Sequence, residues 1–149
     1  MDKHLSYWES SVAVEDFTNW HSTTAHIHKL SLLGNYMYDK ESSSVLDCGA
    51  GNGSLYKVLE GLKLNIKYKG IDLTQKLVTD AQNNMIDIEY GDIEQIQFKD
   101  ESYDMVVATD VITHLYDYRP ALKEMLRVAK RHVVFTTFKS SVQELKYIS

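Results

Sequence analysis

The sequence predicts an α/β fold, a Rossmann-like open doubly wound sheet of five parallel strands preceded by an N-terminal helical cap. Short apolar runs alternate with helical patterns after residue 44, which is typical of parallel strands joined by right-handed helical crossovers. Most of these runs are continuously hydrophobic, as expected of strands that are covered on both faces. The length of 149 residues, with 44% hydrophobic and 25% charged side chains, suits one soluble domain.

The first half of the predicted sheet begins with the apolar run VLDCG at residues 45–49. Residues 54–62 carry apolar side chains at positions i, i+3, i+4 and i+7, which is the stripe of an amphipathic helix. Residues 67–73, KYKGIDL, predict the second strand, and Thr74 can cap the next helix. The inner face of that helix is expected to contain Leu77, Val78 and Ala81.

The second half of the sheet is predicted by three more strands and one helix. Residues 85–92 alternate between apolar and polar side chains, and residues 103–111 form an apolar run with polar residues at its end. The segment 120–130 predicts a helix, because proline suits the first helical turn and basic residues suit the last. Residues 132–138, HVVFTTF, predict the fifth strand.

We interpret the chain as one compact unit with two segments. Residues 1–44 form the helical cap segment, and residues 45–149 form the ligand-binding domain. The stretch DKESSS at residues 39–44 is a short connection between them.

Composition excludes several classes of function. A net charge of -5 with interspersed signs disfavours nonspecific binding to nucleic acid. The single Cys48 cannot form an internal disulfide and is interpreted as a small buried packing residue. With no pattern typical of a signal peptide and no apolar run of membrane-spanning length, a reducing cytoplasm is the expected location.

An acidic residue lies at or near the carboxyl end of each of the first four predicted strands: Asp47, Asp72, Asp92 and Asp110. The carboxyl ends of parallel strands meet at one edge of the sheet, where ligands bind in this class of fold. Any one of these acids could be a turn or cap residue. Their recurrence on four consecutive strands favours a binding site.

Three glycines at positions 49, 51 and 53 come directly after the first strand. The run lacks the glycine that the dinucleotide fingerprint requires at position 54, which is Ser54 here. Asp47 would repel a pyrophosphate held next to it, whereas it would attract a cationic group. The pattern therefore favours a phosphate-free cationic ligand, and S-adenosylmethionine has a sulfonium, an ammonium, a ribose and an adenine.

The motifs resemble those of class I S-adenosylmethionine-dependent methyltransferases. VLDCGAGNGS is similar to the first motif of that family, and GIDLT is similar to its second-strand motif. YGDIEQIQFKDESYDMVVATDVITHL resembles the third-strand acid, the loop after it and the fourth-strand motif. The sequences of these motifs are most similar to those of the small-molecule branch that includes quinone-biosynthesis methyltransferases. The resemblance covers roughly residues 44–138.

The resemblance implies a role for each matching position. Asp47 and the backbone of Gly49, Ala50 and Gly51 would hold the methionine portion, and Gly53 would allow close packing at the helix start. Asp72 would bind the ribose hydroxyls. Leu73 would lie against the adenine, and Asp92 would accept from its amino group beside the Ile93 backbone. The methionine end and the reaction centre would be flanked by Thr109, Asp110, Val111 and His114.

Methyl transfer is an in-line displacement, so positioning can supply most of its acceleration. His114 is the first candidate for a general base, with loop packing as its alternative role. Asp110 could instead orient the acceptor, which the resemblance implies is a small molecule. No N-P-P-Y or D-P-P-Y sequence is present, and amino-directed nucleic-acid methylation therefore loses support.

Other residues of the N-terminal segment give weaker signals. His26 and His28 are two positions apart, so on a helix they point in different directions and a shared metal is disfavoured. By resemblance, the aromatic cap residues Tyr7, Trp8 and Trp20, together with His21, could close over the ligand or anchor the cap.

Family members usually continue after strand five with a helix and two antiparallel strands, whereas this chain continues with KSSVQELKYIS. Strand five, with Val133, Val134, Phe135 and Phe138, is then expected to be an exposed apolar edge. The explanations open at this point are a fragment, a homodimer and a partner that covers the edge.

Three functions remain open from the sequence. The first is an enzyme that methylates a small molecule and releases S-adenosylhomocysteine. The second is a catalytically silent cofactor-binding module or subunit. The third is a nicotinamide-dependent oxidoreductase, which Ser54 and Asp47 disfavour.

Overall fold

The computed structural model describes residues 22–137 together with positions 10, 15, 16 and 19. It contains a sheet of five parallel strands in the order β3-β2-β1-β4-β5, which confirms the predicted doubly wound fold. The strands are β1 Ser44–Cys48, β2 Lys67–Asp72, β3 Ile88–Tyr90, β4 Tyr103–Ala108 and β5 Ala129–Phe135.

The helices of the described region connect these strands and cover both faces of the sheet. They are α1 Thr24–Asp39, α2 Ser54–Gly61, α3 Gln75–Asn83 and α4 Arg119–Val128, with a short 3-10 helix at Ile112–His114. No helix in the described part of the chain is both long and apolar enough to cross a membrane.

Two apolar clusters sandwich the sheet, because alternate residues of each strand point to opposite faces. Val45 and Val107 belong to the cluster beneath α1, α2 and α3. Leu46 and Val106 belong to the cluster on the α4 side. Cys48 is fully buried in this second cluster, in agreement with its interpretation as a packing residue.

The boundary between the last described helix and strand differs from the prediction. The helix runs over Arg119–Val128 instead of 120–130, and β5 begins at Ala129 instead of residue 132. Ala129 pairs with Tyr103, and an irregularity between Tyr103 and Met105 shifts the register there. This strand pairing outweighs the preference of basic residues for a helix end.

Three other predictions of local structure need correction. The third strand covers Ile88–Tyr90 instead of residues 85–92, and Met85 has a φ of 59°, outside the extended conformation. The fourth strand ends at Ala108 instead of residue 111, because Asp110 adopts a φ of 59° and leaves the extended conformation. Thr74 lies at the start of α3, but its side chain makes no capping hydrogen bond. Its backbone N–H instead donates to Asp72 Oδ1 at 2.8 Å. The predicted inner face of α3 is confirmed by its buried residues, Leu77, Val78 and Ala81.

β5 lies at the edge of the sheet, beside β4. Its apolar side chains are half-buried instead of exposed, because Val134 packs against the first cluster and Val133 and Phe135 pack against the second. Phe138 and the residues after it lie outside the described residues.

Gly70 allows β2 to lie against the turn after β1. A Cβ atom at Gly70 would lie 2.7 Å from both Ala50 Cβ and Ile88 Cγ1. We expect Gly70→Ala to lower the free energy of unfolding by about 1–3 kcal/mol through overpacking, as measured by urea denaturation.

Gly61→Ala is the matched control, because apart from its chain neighbours and the backbone of its own helix no atom lies within 4 Å of the Cβ it would add. It should raise the free energy of unfolding by about 0.5–1 kcal/mol. Equal effects of the two substitutions would contradict this description of the packing.

Candidate functional site

The turn that joins β1 to α2 is built on glycines with positive φ. Gly49, Gly51 and Gly53 have φ values of 76°, 56° and 85°. A Cβ atom at Gly49 would lie 2.2 Å from Val111 Cγ2, so the turn is in direct contact with the segment after β4. The structure therefore brings the glycine turn and the fourth-strand segment together, as the sequence predicts.

The N–H groups of this turn donate hydrogen bonds within the protein. Gly49 and Ala50 both donate to Ile71 O, at 2.8 and 3.0 Å. The Gly51 N–H donates to Asp72 Oδ2 at 2.8 Å. A phosphate needs free N–H donors, and the N–H groups of these three residues are already engaged. This arrangement agrees with the interpretation that the turn is not a dinucleotide loop.

Asp47 is buried inside β1, with 2% of its surface exposed. Its Oδ2 accepts a hydrogen bond from the Tyr68 hydroxyl at 2.8 Å, and its Oδ1 has no hydrogen-bond partner among the described residues. Burial raises the pKa of Asp47 to about 7, the Tyr68 hydrogen bond opposes the rise, and the charge of Asp72 adds to it. A buried carboxylate without a second partner would be stabilised by a cation.

Tyr68 is a site residue that sequence reasoning missed. Asp47 pairs with Gly70 on β2, and a Cβ atom at Gly70 would lie 3.1 Å from the Tyr68 hydroxyl oxygen. The glycine opposite the buried acid thus leaves room for the tyrosine two positions before it. A glycine in this strand was the signal that could have identified the pair.

Asp72, at the end of β2, accepts hydrogen bonds from the glycine turn and from the loop that leads into α3. Its Oδ2 accepts from the Gly51 N–H and its Oδ1 accepts from the Thr74 N–H, both at 2.8 Å. Asp72 is half-buried at the carboxyl edge of the sheet. Ligands bind at this edge in doubly wound sheets, so the position of Asp72 fits its predicted role toward ribose hydroxyls.

The residues predicted to contact the adenine come after β2 and β3. Leu73 and Asp92 are half-buried, and Asp92 Oδ1 accepts from the Glu94 N–H at 2.8 Å. The Ile93 side chain is buried in the second apolar cluster. Only the backbone of Ile93 is therefore suited to face a ligand, as the prediction has it.

Asp110 lies at the centre of a polar cluster after β4. Its Oδ2 forms an ion pair with Lys29 Nζ and lies 3.7 Å from His26 Nδ1. Its Oδ1 accepts from the Thr136 hydroxyl at 2.9 Å. Burial opposes ionisation of Asp110, but the hydrogen bonds from Lys29 and Thr136 outweigh it and lower its pKa. The cluster joins α1 to the segments after β4 and β5.

These contacts bear on the predicted catalytic role of Asp110. A carboxylate with a lowered pKa and a cationic partner is a weak proton acceptor at neutral pH. Lys29 and Thr136 were absent from the predicted site. The spacing of His26 and Lys29, three residues apart on one helix, was the available signal that both face the same way.

The two N-terminal histidines are in different environments, with His26 buried and His28 exposed. Among the described residues, no group of three or more His, Cys, Asp or Glu side chains is arranged to hold a metal ion. The aromatic cap residues Tyr7, Trp8 and Trp20, with His21, lie outside the described residues.

The remaining predicted residues come after β4. Thr109 and Val111 are half-buried, and His114 is exposed at the end of the 3-10 helix. The His114 backbone N–H donates to Val111 O at 2.9 Å. This hydrogen bond links His114 to Val111, the residue that contacts Gly49.

The Tyr68–Asp47 hydrogen bond gives a stability prediction. Tyr68→Phe removes the hydroxyl bonded to a buried carboxylate, so we expect the free energy of unfolding to fall by about 1–3 kcal/mol. The loss should be larger at pH 8, where Asp47 is ionised, than at pH 5.5. Urea denaturation at both pH values measures it.

Tyr56→Phe is the matched control for that experiment. Its ring packs edge-on against Tyr68, with centroids 5.4 Å apart, and the substitution removes one hydroxyl without touching Asp47. We expect a change within about 0.5 kcal/mol. A loss of the same size in both variants would contradict the proposed importance of the Asp47 bond.

Comparison with known proteins identifies the family of the chain. A family model described as a methyltransferase domain matches residues 46–136, which is more than half of the chain. A demethylmenaquinone methyltransferase from Thermotoga maritima is 29% identical over 58% of this chain and 39% of that protein. A ribosomal protein L11 methyltransferase from Dictyoglomus turgidum is 30% identical over 78% of this chain and 39% of that protein. The chain thus spans about two-fifths of the length of these relatives.

Solved structures share the fold. The chain is similar to magnesium protoporphyrin IX methyltransferase from Synechocystis PCC 6803, solved with bound S-adenosylmethionine, with a TM-score of 0.70 and 19% identity. That alignment covers 91% of this chain and 76% of the other. The YcgJ protein from Bacillus subtilis aligns with a TM-score of 0.62 and 26% identity, over 69% of this chain and 46% of the other. The chain belongs to the class I S-adenosylmethionine-dependent methyltransferase family.

Proposed function

We propose that this chain binds S-adenosylmethionine at the carboxyl edge of its sheet and transfers the methyl group to a small-molecule acceptor. The single observation that carries the proposal is the buried Asp47 carboxylate, whose Oδ1 has no hydrogen-bond partner among the described residues. It lies in the strand that leads into the glycine turn. A cationic ligand with its ammonium on this side would supply the missing partner.

The residues present fit the cofactor of this family. Asp47 and the carbonyl oxygens of the glycine turn suit the ammonium, Asp72 suits the ribose hydroxyls, and Asp92 suits the adenine amino group. When bound, S-adenosylmethionine supplies a methyl group on a positively charged sulfur. The tasks left to the chain are to hold this group in line with the acceptor, to exclude water and to accept a proton where the acceptor loses one.

His114 is the proposed proton acceptor, because it is exposed and close in the chain to the Gly49 contact at Val111. Asp110 is assigned a positioning role instead, since its carboxylate is paired with Lys29. Replacement of His114 by glutamine would then lower kcat for acceptors that must be deprotonated, without weakening cofactor binding.

The proposal of a small-molecule acceptor is supported by several relatives. Demethylmenaquinone methyltransferases and a norajmaline N-methyltransferase from Rauvolfia serpentina, 30% identical over 60% of this chain, are named for small acceptors. One relative is named instead for a ribosomal protein. The acceptor panel for a test therefore needs quinols, amines and a protein fraction.

The test is transfer of labelled methyl groups from S-adenosylmethionine to that panel. We expect label in a small-molecule product, with one S-adenosylhomocysteine released for each methyl group transferred. Label in the protein fraction alone would overturn the small-molecule assignment. Cofactor binding without any turnover would favour the silent binding module.

A further inference from the structure

The ion pair between α1 and the segment after β4 places a positive charge at an acidic edge of the sheet. Lys29 Nζ pairs with Asp110 Oδ2, and the Lys29 side chain keeps 30% of its surface exposed. The Asp110 side chain is 9% exposed. The ammonium group of a lysine has three donors, so pairing with Asp110 leaves Lys29 able to bind a second acceptor.

One contact links this pair to the glycine turn. Val111 comes directly after Asp110, and its Cγ2 would lie 2.2 Å from a Cβ atom at Gly49. The Asp110 N–H donates to Thr136 Oγ1 at 2.8 Å, which fixes the backbone at this point. Lys29 is thereby connected, through Asp110 and Val111, to the turn where the amino-acid end of the cofactor is proposed to lie.

The amino-acid end carries a carboxylate as well as an ammonium. The acids at this edge, Asp47, Asp72 and Asp110, suit the ammonium but repel a carboxylate. The N–H groups of Gly49, Ala50 and Gly51 already donate within the protein. A carboxylate at this place therefore needs a cation, and Lys29 is a cation with exposed surface that the fold brings there.

We propose that Lys29 binds the carboxylate of the cofactor's amino-acid end, and that Asp110 positions Lys29 for this contact. The inference rests on the proposed function, because it concerns the same cofactor site. A residue of α1 would thus recognise one functional group of the ligand. Asp110 acts through Lys29 and is a positioning residue, with His26 and Thr136 supporting it.

The test compares two ligands that differ in this carboxylate alone. S-adenosylhomocysteine has it, and decarboxylated S-adenosylhomocysteine keeps the ammonium, ribose and adenine without it. We expect the wild-type chain to bind the first at least about tenfold more tightly in calorimetric titration. This comparison needs no substitution and is independent of any folding defect.

Substitutions at Lys29 then test whether this residue causes the preference for the ligand with the carboxylate. Lys29→Met should weaken S-adenosylhomocysteine roughly tenfold or more and leave the decarboxylated ligand within about threefold, so that the preference disappears. Lys29→Arg should keep the preference. Lys123→Met, which removes an exposed lysine of α4, is the charge-matched control and should change neither affinity. Thermal unfolding of each variant confirms that it is folded.

Each result decides between the alternatives. Equal weakening of both ligands by Lys29→Met would show that Lys29 only holds α1 in place, and would overturn this inference while the proposed function stands. Equal affinity of the wild-type chain for both ligands would also overturn it. If the folded wild-type chain binds neither ligand, the proposed function fails and this inference fails with it.

Discussion

Asp72→Ala is expected to abolish measurable cofactor binding in the micromolar range. The substitution removes the acceptor proposed for both ribose hydroxyls, and it also removes the acceptors of the Gly51 and Thr74 N–H groups. Hydrogen bonds to a charged group contribute about 1.5–3 kcal/mol each, so the loss of two weakens binding by roughly 100-fold or more. Calorimetric titration with S-adenosylhomocysteine measures it.

The control for this variant is Asp80→Ala on the exposed face of α3, which makes the same change in net charge. It should bind like the wild type. Asp72→Asn should lie between the two, since an amide retains one acceptor oxygen but must meet two N–H donors. An Asp72→Ala variant that is folded and binds within about threefold of the wild type would refute the ribose assignment.

Cofactor affinity is expected to rise with pH between 5.5 and 7, through the titration of Asp47. Burial raises the pKa of this carboxyl to about 7 in the free protein, so it is largely protonated at pH 5.5. A cationic ligand favours the ionised form, and binding therefore releases a proton. Below the pKa each pH unit changes the affinity up to about tenfold, which gives roughly 20-fold over the whole range.

The same titration affects the stability of the free protein in the opposite direction. The pKa in the native state lies above the ordinary value of 3.8, so between about pH 4 and 7 the native state binds more protons than the unfolded state. The contribution of Asp47 to stability is therefore present at low pH and is lost as the pH rises through 7. A ligand that stabilises the ionised form offsets that loss.

Asp47→Asn separates the two effects. It should bind S-adenosylhomocysteine with an affinity that is almost independent of pH from 5.5 to 7, and it should remove the fall in stability near pH 7. Asp87→Asn, which removes an exposed carboxyl paired with Lys69, should retain the pH dependence of the wild type. A pH profile that is unchanged in Asp47→Asn would contradict the proposed role of this residue.

The fold and the acidic edge could be predicted because they depend on local patterns. Apolar runs that alternate with helical stripes determine a doubly wound sheet, and the carboxyl ends of its strands then meet at one edge. The positions of Asp47, Asp72, Asp92 and Asp110 result from that rule alone. The ends of strands and helices were predicted less accurately, because pairings such as that of Ala129 with Tyr103 depend on tertiary contacts.

The partners of these acids could not be predicted from the same patterns. Tyr68 reaches Asp47 because Gly70 leaves space between adjacent strands, and Lys29 reaches Asp110 across 81 positions of the chain. The hydrogen-bond partners of the N–H groups in the glycine turn could not be predicted either. The glycine pattern predicts a turn but not its hydrogen bonds. In the structure the N–H groups of Gly49 and Ala50 donate to Ile71, and that of Gly51 donates to Asp72. Such pairings depend on how helices pack on the sheet.

The most direct test of the cofactor assignment is a calorimetric titration of the folded wild-type chain with S-adenosylhomocysteine and, separately, with NAD. The geometry of the site predicts binding of S-adenosylhomocysteine at micromolar concentration and no binding of NAD in the same range, because Asp47 and the engaged N–H groups of the turn exclude a pyrophosphate. Tighter binding of NAD, or no binding of S-adenosylhomocysteine at millimolar concentration, would contradict it.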